Sequence, residues 1–234
     1  MQSIIFSPHC DDAFFSLGGA ILQGSLKPAI IYNFFCQTNW TIRSIGQVNK
    51  ITQIRIKEDQ RLYHALNCQT YYLMLEDACL RIPKNDDDTQ YLDPYLIPQQ
   101  QAIWQTIKNI VKNIVSTYTD SRLFFPLGLG NHIDHRLIFE AGKQYCHNPN
   151  VYFYEDTPYD QTLNNQVIKK HLINNHLNVI SQTLKISLLE QKISLAKKYY
   201  KSQINSQVYH DIQTIGINRG GERIWGNRKK DLIN

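Results

Sequence analysis

Apolar residues fall along this chain in short blocks, separated by stretches with helical spacing. Residues 4–7 open with the apolar run Ile4-Ile5-Phe6 and read as a short buried strand. Residues 12–23 read as a helix that Gly24 stops. The run AIIYNFF at 29–35 is rich in β-branched and aromatic side chains, the mark of an interior parallel strand. A polar loop at 37–49 leads into a long helix near 50–66, and TYYLML at 70–75 is a third strand. Residues 81–98 hold Asp86-Asp87-Asp88 and three prolines and predict an exposed loop over one end of the sheet. Ile103, Ile107, Ile110, Val111 and Ile114 make one stripe of a helix over 99–117. RLFFP at 122–126 and VYFY at 151–154 are the fourth and fifth strands, with a helix at 135–146 between them. Beyond Pro158 the pattern turns helical, over 166–175 and 181–200, and the tail at 216–234 is poorly periodic.

Strands alternating with helices predict an α/β fold: a Rossmann-like, doubly wound, mostly parallel sheet of five or more strands, with a helical C-terminal extension. No internal repeat or linker divides the chain. The 234 residues predict one domain, with its core over about 1–160 and a helical part over about 161–234.

Composition narrows the class. Hydrophobic residues make up 42%, ordinary for a globular protein. The net charge of +5 is scattered, which argues against nucleic acid as a partner. The cysteines at 10, 36, 68, 79 and 146 form no CxxC and no disulfide framework, so reduced thiols in the cytoplasm are expected. The N-terminus shows no signal peptide, and no run is long enough to span a bilayer. The sequence is silent on homo-oligomers.

The chemistry lies at two strand ends. Ser7-Pro8-His9-Cys10-Asp11-Asp12 follows the first strand, and Gly130-Asn131-His132-Ile133-Asp134-His135 follows the fourth. In doubly wound sheets ligands bind beyond the carboxyl ends of strands, so both clusters belong at one edge. Either alone is a weak signal, since Asp11 and Asp12 would equally cap the next helix. Together they supply a metal-assisted hydrolase. His9, Asp12 and one histidine of the second cluster make a three-ligand catalytic zinc set, which generates a nucleophile from water and polarises a carbonyl. Asp11 is then free to accept a proton, and the other histidine to stabilise the oxyanion.

These residues resemble a known family. Pro8-His9-Cys10-Asp11-Asp12 is similar to the PHPDD signature of the PIG-L/LmbE-like N-deacetylases, and His132-Ile133-Asp134-His135 to their HxDH motif. Arg55-Ile56-Lys57-Glu58, Leu75-Glu76-Asp77-Ala78 and Tyr154-Glu155-Asp156-Thr157-Pro158-Tyr159 resemble further stretches, and Glu222-Arg223-Ile224-Trp225 is a faint echo of another. The resemblance implies Zn2+ held by His9, Asp12 and His135, Asp11 as general base, His132 at the oxyanion, and Asp134 in support of that histidine. It also implies removal of acetyl from a GlcNAc-type amino sugar or its conjugate. Arg55, Glu155, Asp156 and Tyr159 are the expected substrate contacts. The alternatives are a hydrolase of another acyl amide and a metal-retaining binding protein. Cys10 stands where the family has proline, and Ala13 where it has an acid. Gly130 stands where some members carry a tyrosine, which leaves Tyr159 to supply a hydroxyl.

Overall fold

The computed structural model describes residues 1–42, 44–82, 100–159, 163–184 and 187–226. Asp86-Asp87-Asp88 and the basic group Arg228-Lys229-Lys230 lie outside these residues. The strands are β1 (Ser3–Ser7), β2 (Ala29–Asn33), β3 (Gln69–Tyr72), β4 (Arg122–Pro126), β5 (Val151–Tyr154), β6 (Ile180–Leu184) and β7 (Glu222–Gly226). The helices are α1 (Asp12–Leu22), α2 (Val48–Ala65), α3 (Ala78–Arg81), α4 (Gln101–Thr117), α5 (Ile133–Lys143), α6 (Asn165–Asn174), α7 (Leu189–Tyr199) and α8 (Ser206–Arg219).

One sheet runs in the order β3-β2-β1-β4-β5-β7-β6. Its first five strands are parallel, and β7 and β6 add on as antiparallel strands. Side-chain alternation splits the interior into two layers. Ile4 and Phe6 face a core with Ile107 and Val111 of α4 and Leu137 and Ile138 of α5. Ile5 faces the opposite core with α1, Leu62 and Tyr63 of α2, and Ile193 of α7. This is the expected doubly wound sheet. No described helix is long and apolar enough to cross a membrane.

The C-terminal part departs from an all-helical extension. Residues 181–184, expected to begin a helix, belong to edge strand β6, and the poorly periodic tail holds the end of α8 and all of β7. The reason is local. β6 buries only Leu184 among its five residues, so it carries no clear alternation to read.

Strand order reverses between β1 and β4, the switch point where open α/β sheets bind ligands. Both polar clusters leave the sheet there.

Candidate metal and catalytic centre

The turn after β1 is closed by Ser7, whose Oγ donates to His9 O at 2.6 Å and accepts from Ala13 N–H at 3.1 Å. That turn aims His9 and Asp12 at one point. Asp12 Oδ2 lies 2.9 Å from His9 N, 3.0 Å from His9 Nδ1 and 3.1 Å from His135 Nε2. His135 comes from the first turn of α5. Asp12 and both histidines are buried.

Each histidine has a carboxylate on its far nitrogen. His9 Nε2 donates to Asp134 Oδ2 at 3.1 Å, and His135 Nδ1 to Asp156 Oδ1 at 2.7 Å. These bonds fix both ring orientations and turn Nδ1 of His9 and Nε2 of His135 toward Asp12. This is the outer-shell arrangement typical of metal-ligating histidines. His135 Nε2 is buried and makes no hydrogen bond within the described residues.

The electrostatics call for a cation. Asp11, Asp12, Asp77 and Asp134 converge here against the guanidiniums of Arg55 and Arg81. Burial would lower the pKa of His9, but Asp77, Asp12 and Asp134 outweigh it and hold it well above the usual value. Burial also opposes protonation of His135, yet Asp12 and Asp156 raise it to about 9. Asp12 sits well below the usual carboxylate range, its burial outweighed by His135 and His9. A divalent ion would replace those protons and neutralise the excess negative charge. The residues therefore fit a metal held by His9, Asp12 and His135, whose donor atoms lie within 4.8 Å of one another.

A second trio, His9, His132 and Asp134, has donor atoms equally close. Its atoms are already committed. Asp134 Oδ2 accepts from His9 Nε2 and from Ala78 N–H at 2.9 Å. His132 caps α5, its Nδ1 accepting Asp134 N–H at 3.3 Å. That bond leaves the ring proton of neutral His132 on Nε2. Burial and the neighbouring His9 push its pKa down to about 3, so it is neutral. His132 is therefore a hydrogen-bond donor beside the metal position. Its ring lies 5.1 Å from that of His9 and 5.2 Å from that of His135.

Asp11 is the N-cap residue of α1, but its side chain does not cap the helix. Its Oδ1 faces Arg55 Nη2 at 3.3 Å. Burial raises its pKa, Arg55 opposes the rise, and Asp12 adds to it. Cys10 turns away from the metal position into a small apolar cluster with Cys36 and Ile56.

Several expected substrate contacts have other partners. Arg55 is buried, pairing with Asp11 and lying 3.7 Å from Asp77. Asp156 stands behind His135 and also accepts Leu129 N–H at 3.0 Å. Glu155 bonds Arg223 at 2.6 Å and Trp225 at 2.8 Å, and pairs with Arg219, on the side of the C-terminal layer. The Asp134 carboxylate, expected in support of His132, bonds His9, Arg81 and Ala78 N–H, while the Asp134 backbone N–H is the group that bonds His132. Tyr159 does lie at the centre, its ring 4.8 Å from His135 and 5.5 Å from His132. Gly130 makes this possible. It has φ +74°, and a Cβ there would sit 2.6 Å from Tyr159 Cβ.

Asp77 and Arg81 were not expected as site residues. Asp77 lies 3.8 Å from His9 Nε2, and Arg81 pairs with Asp134 while stacking over Phe35 at 4.8 Å. The acidic segment after β3 was a visible signal for Asp77. Nothing in the spacing marked Arg81.

The chain is similar over its length to several solved structures. The zinc-inhibited form of a teicoplanin deacetylase matches with a TM-score of 0.71 at 16% identity, covering 99% of each chain. An N,N'-diacetylchitobiose deacetylase from Pyrococcus horikoshii matches at 0.53 and 18% identity, covering 97% of this chain and 82% of that one. A 4-carboxy-2-hydroxymuconate hydratase from Pseudomonas putida also matches, at 0.50 and 12% identity, covering 94% and 86%. The fold thus hosts more than one chemistry. Among curated proteins none matches. The family profile described as PIG-L, GlcNAc-PI de-N-acetylase, matches residues 4–146, which hold both polar clusters, and the chain belongs to that family.

Proposed function

We propose that this protein is a metal-dependent N-deacetylase that releases acetate from a GlcNAc-type amino sugar or its conjugate. The observation that carries this reading is the convergence of His9, Asp12 and His135 on one point, with Asp11 and neutral His132 beside it. A divalent ion held by those three would polarise the amide carbonyl and make water a nucleophile near neutral pH. Zn2+ suits the mixed N and O donors, and other first-row ions share that preference.

The chain's own groups do the rest. Asp11 is outside the donor trio and accepts the proton of the attacking water. Its burial raises its basicity, and Arg55 opposes that rise. His132 Nε2–H donates a hydrogen bond to the oxyanion as the carbonyl becomes tetrahedral. The C–N bond then breaks, and the amine leaves with the proton that Asp11 took up. Asp134 and Asp156 hold the ligand imidazoles, and Arg55 and Asp77 hold Asp11 and His9 in register. Tyr159 is the substrate contact that the geometry supports. The amino-sugar class is supported by the family and by two structural neighbours named as deacetylases of teicoplanin and N,N'-diacetylchitobiose.

The test is free amine release from a panel of N-acetylglucosamine glycosides. Zinc-loaded wild type is compared with Asp11→Asn at equal metal content. Release by the wild type, lowered roughly 100- to 10,000-fold in the variant, is the expected result. Full activity of Asp11→Asn with metal retained refutes the mechanism. No release from any glycoside, with metal bound, points instead to another acyl amide.

A further inference from the structure

The strand β7 touches no reacting group, yet it grips both sides of the centre. Glu222 is buried and accepts Gly19 N–H at 2.7 Å and Ala20 N–H at 2.8 Å. Lys192 pairs with Glu222 at 2.7 Å and donates to Phe15 O at 2.6 Å. An α-helix would normally join Gly19 N–H to the Phe15 carbonyl. The Lys192–Glu222 pair therefore grips both groups of one turn of α1, the helix that begins at Asp12.

The next residues of the strand hold the other side. Arg223 Nε and Trp225 Nε1 both donate to Glu155 Oε1, at 2.6 and 2.8 Å. Arg219, at the end of α8, pairs with Glu155 Oε2 at 2.7 Å. Glu155 N–H donates to Arg223 O at 3.2 Å, and Thr157 N–H to Ser16 Oγ of α1 at 3.3 Å. Asp156 lies between these anchored neighbours. Successive side chains of an extended segment point to opposite sides, so Glu155 faces the C-terminal layer while Asp156 faces His135.

We infer that β7 is a positioning strand for the metal centre: Glu222 fixes the helix carrying Asp12, and Arg223 and Trp225 fix the turn from which Asp156 orients His135. The inference rests on the metal-dependent reading above. Its physical basis is tolerance. Ligand positions must hold within about 0.2 Å, and Asp12 and His135 sit on separate helices at opposite sides of the switch point. The brace lies beyond residues 4–146, outside the part that matches the family profile.

The test is zinc affinity of the full chain by competition with a fluorescent chelator, with no substrate present. Asp156→Asn and Glu155→Ala should each weaken zinc by about tenfold or more. The double variant should be no weaker than Asp156→Asn alone, because Glu155 acts through Asp156. Glu222→Gln acts through α1, so its loss should add to that of Asp156→Asn. If Glu155→Ala does not fold, Arg223→Met should weaken zinc and Arg223→Lys should recover part of the loss. Folded Glu155 or Arg223 variants that bind zinc within twofold of wild type overturn the inference, even where thermal stability falls. Simple addition of the Glu155 and Asp156 losses overturns it too, as does a wild type that binds no zinc. A wild type that binds zinc tightly but releases no amine defeats the deacetylase reading and leaves the brace standing.

Discussion

Arg55→Met separates two roles for Arg55. The guanidinium is buried and lies 3.3 Å from Asp11 Oδ1. Removing it takes away the cation that opposes the burial-driven rise of Asp11. Two unit charges about 4 Å apart interact by roughly 4 kcal/mol at an effective dielectric of 20. Screening by the second carboxylate, Asp77, and by solvent reduces this. A neighbouring arginine typically lowers the pKa of an aspartate by roughly 1–3, and the acidic limb of kcat/KM should move by that amount. The sign follows from the chemistry. The base works ionised, so losing the cation moves the limb upward. At a pH below the limb, activity falls about tenfold for each pH unit that the limb rises. The assay is amine release across pH 4–9 at fixed metal content, with Arg55→Lys as the charge-retaining control. A limb that stays in place while KM rises refutes this argument and returns Arg55 to a substrate-binding role.

Three further outcomes are expected. His132→Ala should lower kcat by roughly 100- to 1,000-fold with KM little changed, measured by steady-state kinetics, since it removes an oxyanion donor; an unchanged kcat would exclude that role. Gly142→Ala should destabilise the fold by about 1–2 kcal/mol in urea titration, because the new Cβ would sit 2.4 Å from Phe125 Cγ and overpacking outweighs the helix gain of alanine; a midpoint equal to wild type would contradict this. Asp59 is buried under Tyr200, Tyr72 and Asn33, and burial pushes its pKa up to about 8 despite their hydrogen bonds. A carboxyl raised on folding contributes stability that is complete below its unfolded value near 4 and is lost as pH rises toward 8. Wild type should therefore lose more stability between pH 5 and pH 8 than Asp59→Asn does, and parallel profiles would rule out the raised pKa.

The sequence by itself determined the parallel core and the site's address. Strands β1, β2, β4 and β5 are dense apolar runs because both sheet faces are covered, and such runs stand out without any contact information. The proposed metal trio was legible in part. Strand ends place His9 and Asp12 at one edge with the cluster that holds His132 and His135, and the family resemblance chose His135 between those two. What the sequence left open were residues whose role depends on direction. Arg55, Glu155 and Asp156 were marked as substrate contacts, but which way each side chain turns is set by packing. Alternation past β5 sends Glu155 to Arg219, Arg223 and Trp225, and Asp156 to His135. Asp134 lies beside His132 in sequence, yet the tertiary fold turns its carboxylate to His9. The edge strand β6 and the inserted strand β7 were hidden for the same reason. Their pairing partners are distant in the chain, and only the assembled sheet creates the surfaces that they bury.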